Sequence, residues 1–303
     1  MLYFKKLAYE DYGILREYFI RDNTNHISKG WDITCDHVFG TTFFWREYYN
    51  TRYAIVDDCV ILRISTGGTD MFSVPIGGEN IRSAFEKLKS YAHEQGIALY
   101  FTFVPEAYIP LFHDSFDIVF TSEEPDWFDY VYDIEPLITY PGRAYHGQKK
   151  FLNRYKKQNP DAKFIPITAD NRDNVIEFAR KWEDKFSDKS DMAKAEEESI
   201  TDLLNRWNQN PCVHGGYIMS KDGIAGFTVA ETVGDTVYIH IEKADHTISG
   251  AYQFLSSEFL KSINDEKIKF VNREEDMGIE GLRRSKMSLH PAKMLKKYTL
   301  YCC

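Results

Sequence analysis

FVNREEDMGIEGLRRSKMSLHP, residues 270–291, is the stretch on which the reading of this chain turns. An apolar, strand-like start (Ile268, Phe270, Val271) runs directly into Asn272, Arg273, Glu274, Glu275 and Asp276. A short helical pattern follows from Gly278 to Lys286, and Pro291 stops it. Polarity concentrated just after a buried strand marks a site at the carboxyl end of a sheet. Arg283, Arg284 and Lys286 fall on the helix, where guanidinium groups suit phosphate or carboxylate. The alternative is helix-dipole complementarity, with Glu275, Asp276 and Glu280 leading and the bases trailing.

Upstream, Thr236–Glu242 (TVYIHIE) alternates cleanly. Regular alternation puts Tyr238, His240 and Glu242 on one face of a strand and Val237, Ile239 and Ile241 on the other. Tyr, His and Glu are residue types that move protons, and the plainer alternative is a strand with one wet face. Between this strand and the 270–291 stretch, Ser249-Gly250 opens a helix from Gly250 to Ile263, with Tyr252 in its first turn. Free N–H groups and the positive dipole end make such a start suitable for phosphate. A plain N-cap at Ser249 is the alternative.

The rest of the second half reads as strand Phe164–Ile167, helices Asn171–Phe186 and Glu196–Asn208, and a hairpin around Asp222-Gly223. Asp188–Ser199 reads as a solvated loop or a lid. The first half has the same order of elements. Helices at Glu10–Phe19 and Thr41–Tyr49 precede strands within Tyr53–Ile64 and at Asp70–Val74. A helix at Glu79–Gln95, a strand at Ala98–Val104 and a short helix after Pro105 complete it. Residues 137–162 hold Arg143, Lys149, Lys150, Arg154, Lys156 and Lys157, with Asp161 as the one acid. The organisation expected is therefore a mixed α/β fold of two similar domains, 1–136 and 163–303, joined by a basic segment at 137–162.

Composition bounds the function. The chain has 303 residues, 43% hydrophobic and 27% charged, as in an ordinary globular protein. A net charge of −9 excludes a wholly basic nucleic-acid binder and leaves room for local basic patches. Two such patches are Arg143–Lys157 and Arg283–Lys297, readable as solvated faces or as a phosphate-rich docking surface for tRNA or lipid headgroups. The five cysteines include no CxxC, so no metal site is indicated. No signal peptide or membrane-length apolar run occurs, and the expected location is cytoplasmic.

Several blocks resemble a known family. Thr42–Glu47 (TFFWRE) and Asp57–Leu62 (DDCVIL) look like its first half. Gly250–Gln253 (GAYQ), Asn272–Gly278 (NREEDMG) and Gly281–Lys286 (GLRRSK) look like its second half, the last block being the most specific. The family is the soluble group similar to the C-terminal catalytic domain of phosphatidylglycerol lysyltransferases and to the peptidoglycan-bridge transferases that use aminoacyl-tRNA. The resemblance implies two tandem GNAT-like acyltransferase domains. It implies an acyl or aminoacyl group moved to an amine or hydroxyl, with no permanently bound cofactor. Aminoacyl-tRNA or acyl-CoA would be the donor, and a small molecule or lipid headgroup the acceptor. Glu242 or His240 would act as base beside Tyr238. Ser249, Gly250, Tyr252, Asn272, Arg273, Arg283 and Lys286 would hold the donor. GNAT enzymes carry a Gly-rich phosphate loop where this chain has one glycine in Ile248–Tyr252, which ranks aminoacyl-tRNA ahead of acyl-CoA. The other class left open is a non-catalytic ligand-binding module on the same fold.

Overall fold

The computed structural model describes residues 2–117, 119–263 and 265–302. In chain order the elements of the first half are β1 (Lys5–Lys6), α1 (Tyr12–Lys29), α2 (Phe39–Phe44), β2 (Arg52–Val56), β3 (Cys59–Thr66), β4 (Thr69–Phe72), α3 (Ile81–Gln95), β5 (Leu99–Pro105), α4 (Ile109–Ser115) and β6 (Val119–Glu123). There follow β7 (Asp129–Asp133), α5 (Ile134–Thr139), α6 (His146–Gln158), β8 (Lys163–Pro166), α7 (Arg172–Phe186), α8 (Asp191–Asn205), β9 (Val213–Ser220) and β10 (Gly223–Val233). The chain closes with β11 (Thr236–Ala244), α9 (Ala251–Ile263), β12 (Phe270–Asn272), α10 (Glu280–Met287), β13 (Lys293–Leu295) and β14 (Lys297–Cys302).

Two compact units result. Unit one comprises residues 1–129, 275–279 and 294–303; unit two comprises 130–274 and 280–293. The boundaries expected at 136 and 163 differ from this partition. The C-terminal strand β14 runs in the first sheet, of order β1-β2-β3-β4-β5-β14-β6, and β7 runs in the second, of order β13-β7-β12-β11-β10-β9-β8. Both are non-local pairings, which local periodicity does not reveal. The supposed connector at 137–162 belongs to unit two. Leu152 and Tyr155 of α6 are buried, and Tyr155 stacks on Phe254 of α9 at 4.7 Å.

In unit one, Cys59–Ile64 is apolar on both strand faces because both faces are covered. Ile61 packs with Phe72, Phe85, Leu88, Phe101 and Phe112. Val60 and Leu62 pack instead with Leu15, Phe19, Phe39 and Phe43 of α1 and α2. Asp57 and Asp58 both have positive φ, 49° and 64°, as a two-residue hairpin turn between right-twisted strands requires. The helix expected at Thr41–Tyr49 ends at Phe44. The region read as a loop at Asp188–Ser199 is helical from Asp191, with Ser190 as N-cap accepting from the Ala193 N–H.

In unit two, β10 lies between β9 and β11, both antiparallel to it. Phe227 meets Phe178 of α7, and β9 places His214 against Phe259 of α9, so helices cover both faces. Gly250 has φ 87°, and a Cβ there would lie 2.1 Å from the Phe151 carbonyl oxygen. The start of α9 is thus set by a glycine against the backbone of α6. Gly250→Ala is expected to destabilise the protein by at least about 2 kcal/mol. Gly147→Ala on α6, with helical φ and open space at its Cβ, should be neutral or stabilising. Urea unfolding of the two variants checks this; equal stabilities would contradict it.

Candidate functional site

Most of the residues singled out in the sequence gather where β11 and β12 separate. The two strands are parallel and pair over three positions: Thr236 with Phe270, Val237 with Val271, and Tyr238 with Asn272. Beyond this β11 continues to Ala244, while β12 ends at Asn272. Asn272 is fully buried, and its Oδ1 accepts the Glu274 N–H at 2.8 Å, turning the chain out of the strand. Glu274 takes the left-handed conformation, φ 56°. The buried Lys286 of α10 donates to the carbonyl oxygens of Arg273 and Glu274. Asn272 and Lys286 therefore shape the strand exit. That is a correction to the expectation that the Lys286 ammonium serves donor phosphate, since it is directed at backbone. Arg283, one turn earlier on α10, is half-buried.

Arg273 spans the opening. Its Nη2 donates to Glu242 Oε1 at 2.6 Å and its Nη1 to Oε2 at 3.4 Å. The Glu242 side chain is 5% exposed. Burial alone would depress the guanidinium pKa, but the charge and hydrogen bond of Glu242 outweigh it and raise it.

His240 sits in a β-bulge. Ala230 of β10 lies opposite Ile239 and Val229 opposite Ile241, so His240 has no opposite residue. The bulge overturns the shared face expected for Tyr238, His240 and Glu242. Tyr238 lies opposite Glu231 and Glu242 opposite Thr228, and positions 228 and 231 of one strand face opposite ways. His240 goes with Tyr238: its Nε2 is 3.7 Å from Glu231 and its Nδ1 2.8 Å from Glu274. Burial disfavours the charged ring, yet the carboxylates of Glu231 and Glu274 prevail and hold its pKa at about 9. At neutral pH His240 is an imidazolium and cannot accept a proton.

At the α9 end of the site, Ser249 Oγ accepts from Arg154 Nη1 of α6 at 3.2 Å. The cationic group absent from the loop's own sequence is thus supplied by the segment read as a connector. Tyr252 packs against His246 at 5.3 Å, and burial pushes its pKa up to about 12.

Unit one holds a second polar centre that sequence reasoning missed. Lys297 of β14 has a side chain 1% exposed, with Nζ 2.5 Å from Asp36, 2.6 Å from Asp129 and 3.5 Å from Glu275. Nζ also donates to Cys35 Sγ at 3.1 Å. Burial opposes the ammonium charge, and the Asp129 and Asp36 carboxylates overcome this and raise its pKa. Burial, reinforced by Asp129, pushes the Cys35 thiol up and keeps it protonated. The basic run Arg283–Lys297 is therefore not a continuous surface: Lys297 is internal, and Lys296 pairs with Glu123 at 2.6 Å. Beside this centre, His37 Nδ1 donates to Asp22 at 2.8 Å. His26 contacts the Tyr108 hydroxyl at 2.7 Å, and burial together with His37 lowers its pKa to about 4. Asp22, His26 and His37 form one cluster of ligand-type side chains; Cys35, Asp129 and Glu275 form another, already engaged by the Lys297 ammonium. Nothing in the residue order signalled this centre, because its members are up to 262 positions apart.

Comparison with known proteins gives a family and a fold. The family described as "Phosphatidylglycerol lysyltransferase, C-terminal" matches residues 32–301. An uncharacterized protein of Mycoplasmoides gallisepticum is 28% identical over 172 residues, 56% of this chain and 54% of that protein. The match thus spans about half the length of that curated relative. The crystal structure of a conserved protein of unknown function from Bacteroides thetaiotaomicron is 25% identical, covers 100% of both chains and superposes with a TM-score of 0.88. The structure of L-PGS from Bacillus licheniformis is 13% identical, covers 98% of this chain and 93% of that one, with a TM-score of 0.66. The mixed α/β architecture of two units read from the sequence is the fold shared with these structures. Among the described residues no helix is long and apolar enough to cross a membrane.

The charge on His240 makes stability depend on pH. Its folded pKa of about 9 exceeds the ordinary 6.5. The contribution, about 3 kcal/mol, is complete below pH 6.5 and is lost as pH rises through 9. NMR titration should find the His240 ring changing near pH 9, and His240→Gln should flatten the stability profile between pH 6.5 and 9. A ring titrating near 6.5 would contradict this.

Proposed function

The chain belongs to the phosphatidylglycerol lysyltransferase C-terminal family, and from that premise we propose that its second unit transfers an activated aminoacyl or acyl group to an amine or hydroxyl acceptor. The observation that carries this is the opening between β11 and β12, whose ladder stops at Tyr238 and Asn272. An acyl carbonyl enters there. N–H groups on the edge of β11 beyond Tyr238, released from the β12 ladder, face the developing oxyanion. The acceptor attacks the carbonyl carbon, the ester or thioester bond breaks, and the tRNA hydroxyl or the thiol of coenzyme A leaves.

Glu242 is the base in this reading, because it lies at the opening, where it pairs with Arg273. An incoming ammonium is a second cation for the same carboxylate, which takes its proton before attack. His240 and Tyr238, on the other strand face, are positioning residues: His240 fixes Glu274 and hence the strand exit. Ser249, Gly250 and Arg154 at the α9 N-terminus hold donor phosphate, with Arg273 at the carbonyl end. Tyr252 flanks the same helix start. Aminoacyl-tRNA is the preferred donor, since the loop leaving β11 has one glycine and its cation comes from α6. The name of the family makes lysine and phosphatidylglycerol the first donor and acceptor to try.

A second reading has an observation of its own. Glu242 is engaged by Arg273 and His240 is held as a cation, so neither base is free in this state. A module that binds charged tRNA without turning it over fits that resting chemistry.

The test is transfer of labelled amino acid from lysyl-tRNA and other charged tRNAs, or of labelled acetyl from acetyl-CoA, to phosphatidylglycerol and to small amines and alcohols. The expected result is transfer from aminoacyl-tRNA and none from acetyl-CoA. Arg154→Ala should raise KM for the tRNA roughly tenfold with little change in kcat, and the loss should shrink at high salt. Saturable tRNA binding without turnover for any acceptor selects the second reading. Transfer from acetyl-CoA alone reverses the order of donors.

A further inference from the structure

Unit one contains a cavity that the transfer chemistry leaves unused. It encloses about 60 Å³. That is several times the roughly 10–15 Å³ one water needs, and far below the ~300 Å³ of a drug-sized pocket. It therefore admits a head of a few heavy atoms and no nucleotide.

Its wall is a row of half-buried rings. Trp45 and Tyr49 have centroids 6.4 Å apart, and Tyr49 and Phe103 6.3 Å. Phe103 is held in the left-handed backbone region, φ 55°, where the β5–β14 register slips between Tyr298 and Leu300. A bulky residue kept at positive φ stores strain, and a bulge of this kind re-aims a side chain. Here the ring is one of the cavity's lining groups. Asp36 lines the same cavity, its Oδ2 held by Lys297.

Glu275 also lines the cavity, and both acids act on the Tyr49 hydroxyl. Burial raises the Tyr49 hydroxyl pKa, and Glu275 and Asp36 raise it further, whereas Lys297 is the smallest of the contributions and the opposing one. A space lined by aromatic faces and the carboxylates of Asp36 and Glu275 suits a cation. Phe103 already shows the preference, with Lys297 Nζ 5.8 Å from its ring centroid.

We propose that this cavity binds the ammonium head of a small organic cation, seated against Trp45, Tyr49 and Phe103 and paired with Asp36. The head is either a free small amine or the amino terminus of a larger headgroup. The site lies wholly within unit one, so the proposal stands or falls independently of the transfer activity of unit two.

The experiment is calorimetric and thermal-shift titration of the full chain with four probes. n-Propylammonium represents the free amine and glycerophosphoethanolamine the headgroup-borne one. 1-Propanol and propionate are the neutral and anionic controls. Saturable binding of either cation, with neither control binding, is the expected result, and the tighter of the two names the source. Trp45→Leu, which leaves the Asp36–Lys297 pair intact, should weaken that binding by roughly 3- to 30-fold. Asp36→Asn should weaken it by roughly 10- to 100-fold if the variant folds. Failure of both cations to bind, equal binding of 1-propanol, or unchanged affinity in Trp45→Leu would overturn the proposal. Loss of aminoacyl transfer elsewhere in the chain would leave it standing.

Discussion

The Arg273–Glu242 pair is the constraint around which unit two is organised. Where β12 stops pairing with β11, a gap opens between the two strands. The guanidinium fills that gap with two hydrogen bonds to one carboxylate. Burying both ions costs several kcal/mol each, and the attraction offsets this only if the geometry is fixed. The surroundings fix it. Asn272 turns the chain, Glu274 accepts a left-handed backbone, and Lys286 ties down the carbonyls on either side of the turn. The opening between the strands is therefore a maintained feature.

The bulge at His240 is the second organising device. One extra residue in β11 sends Glu242 to the α9 face and leaves Tyr238 and His240 on the other. The strand thereby presents a carboxylate to one compartment and a buried imidazolium to another. His240 couples the two, because its partner Glu274 belongs to the same turn that carries Arg273. Groups that look equivalent in sequence acquire different surroundings: Glu242 meets Arg273, whereas His240 meets Glu231 and Glu274.

Much of this was legible in the residue order, and the failures share a cause. Tyr53–Ile64, Glu79–Gln95 and Thr236–Glu242 declare their structure by local period, and the strands and helix formed there. The Asn272–Gly278 block stood out by its polarity, and Asn272–Glu274 within it form the strand exit. The bulge was illegible because His240 satisfies a simple alternation; only the partner strand shows that it has no opposite residue. Lys297 looked like one of a run of surface bases. Its burial depends on Asp36 and Asp129, far away in sequence. Arg154 looked like part of a linker, and its place beside Ser249 follows from the packing of α6 on α9. Charge compensation at long range has no local signature, whereas hydrophobic period does.

The most direct test of this account is a double-mutant cycle in stability on Glu242→Gln and Arg273→Met, read by urea unfolding. Removing one partner leaves the other charge buried, so each single variant should cost about 3–5 kcal/mol, while the double variant should cost far less than the sum. Two small costs that add to within about 0.5 kcal/mol would show that the pair does not hold the opening, and would contradict the account.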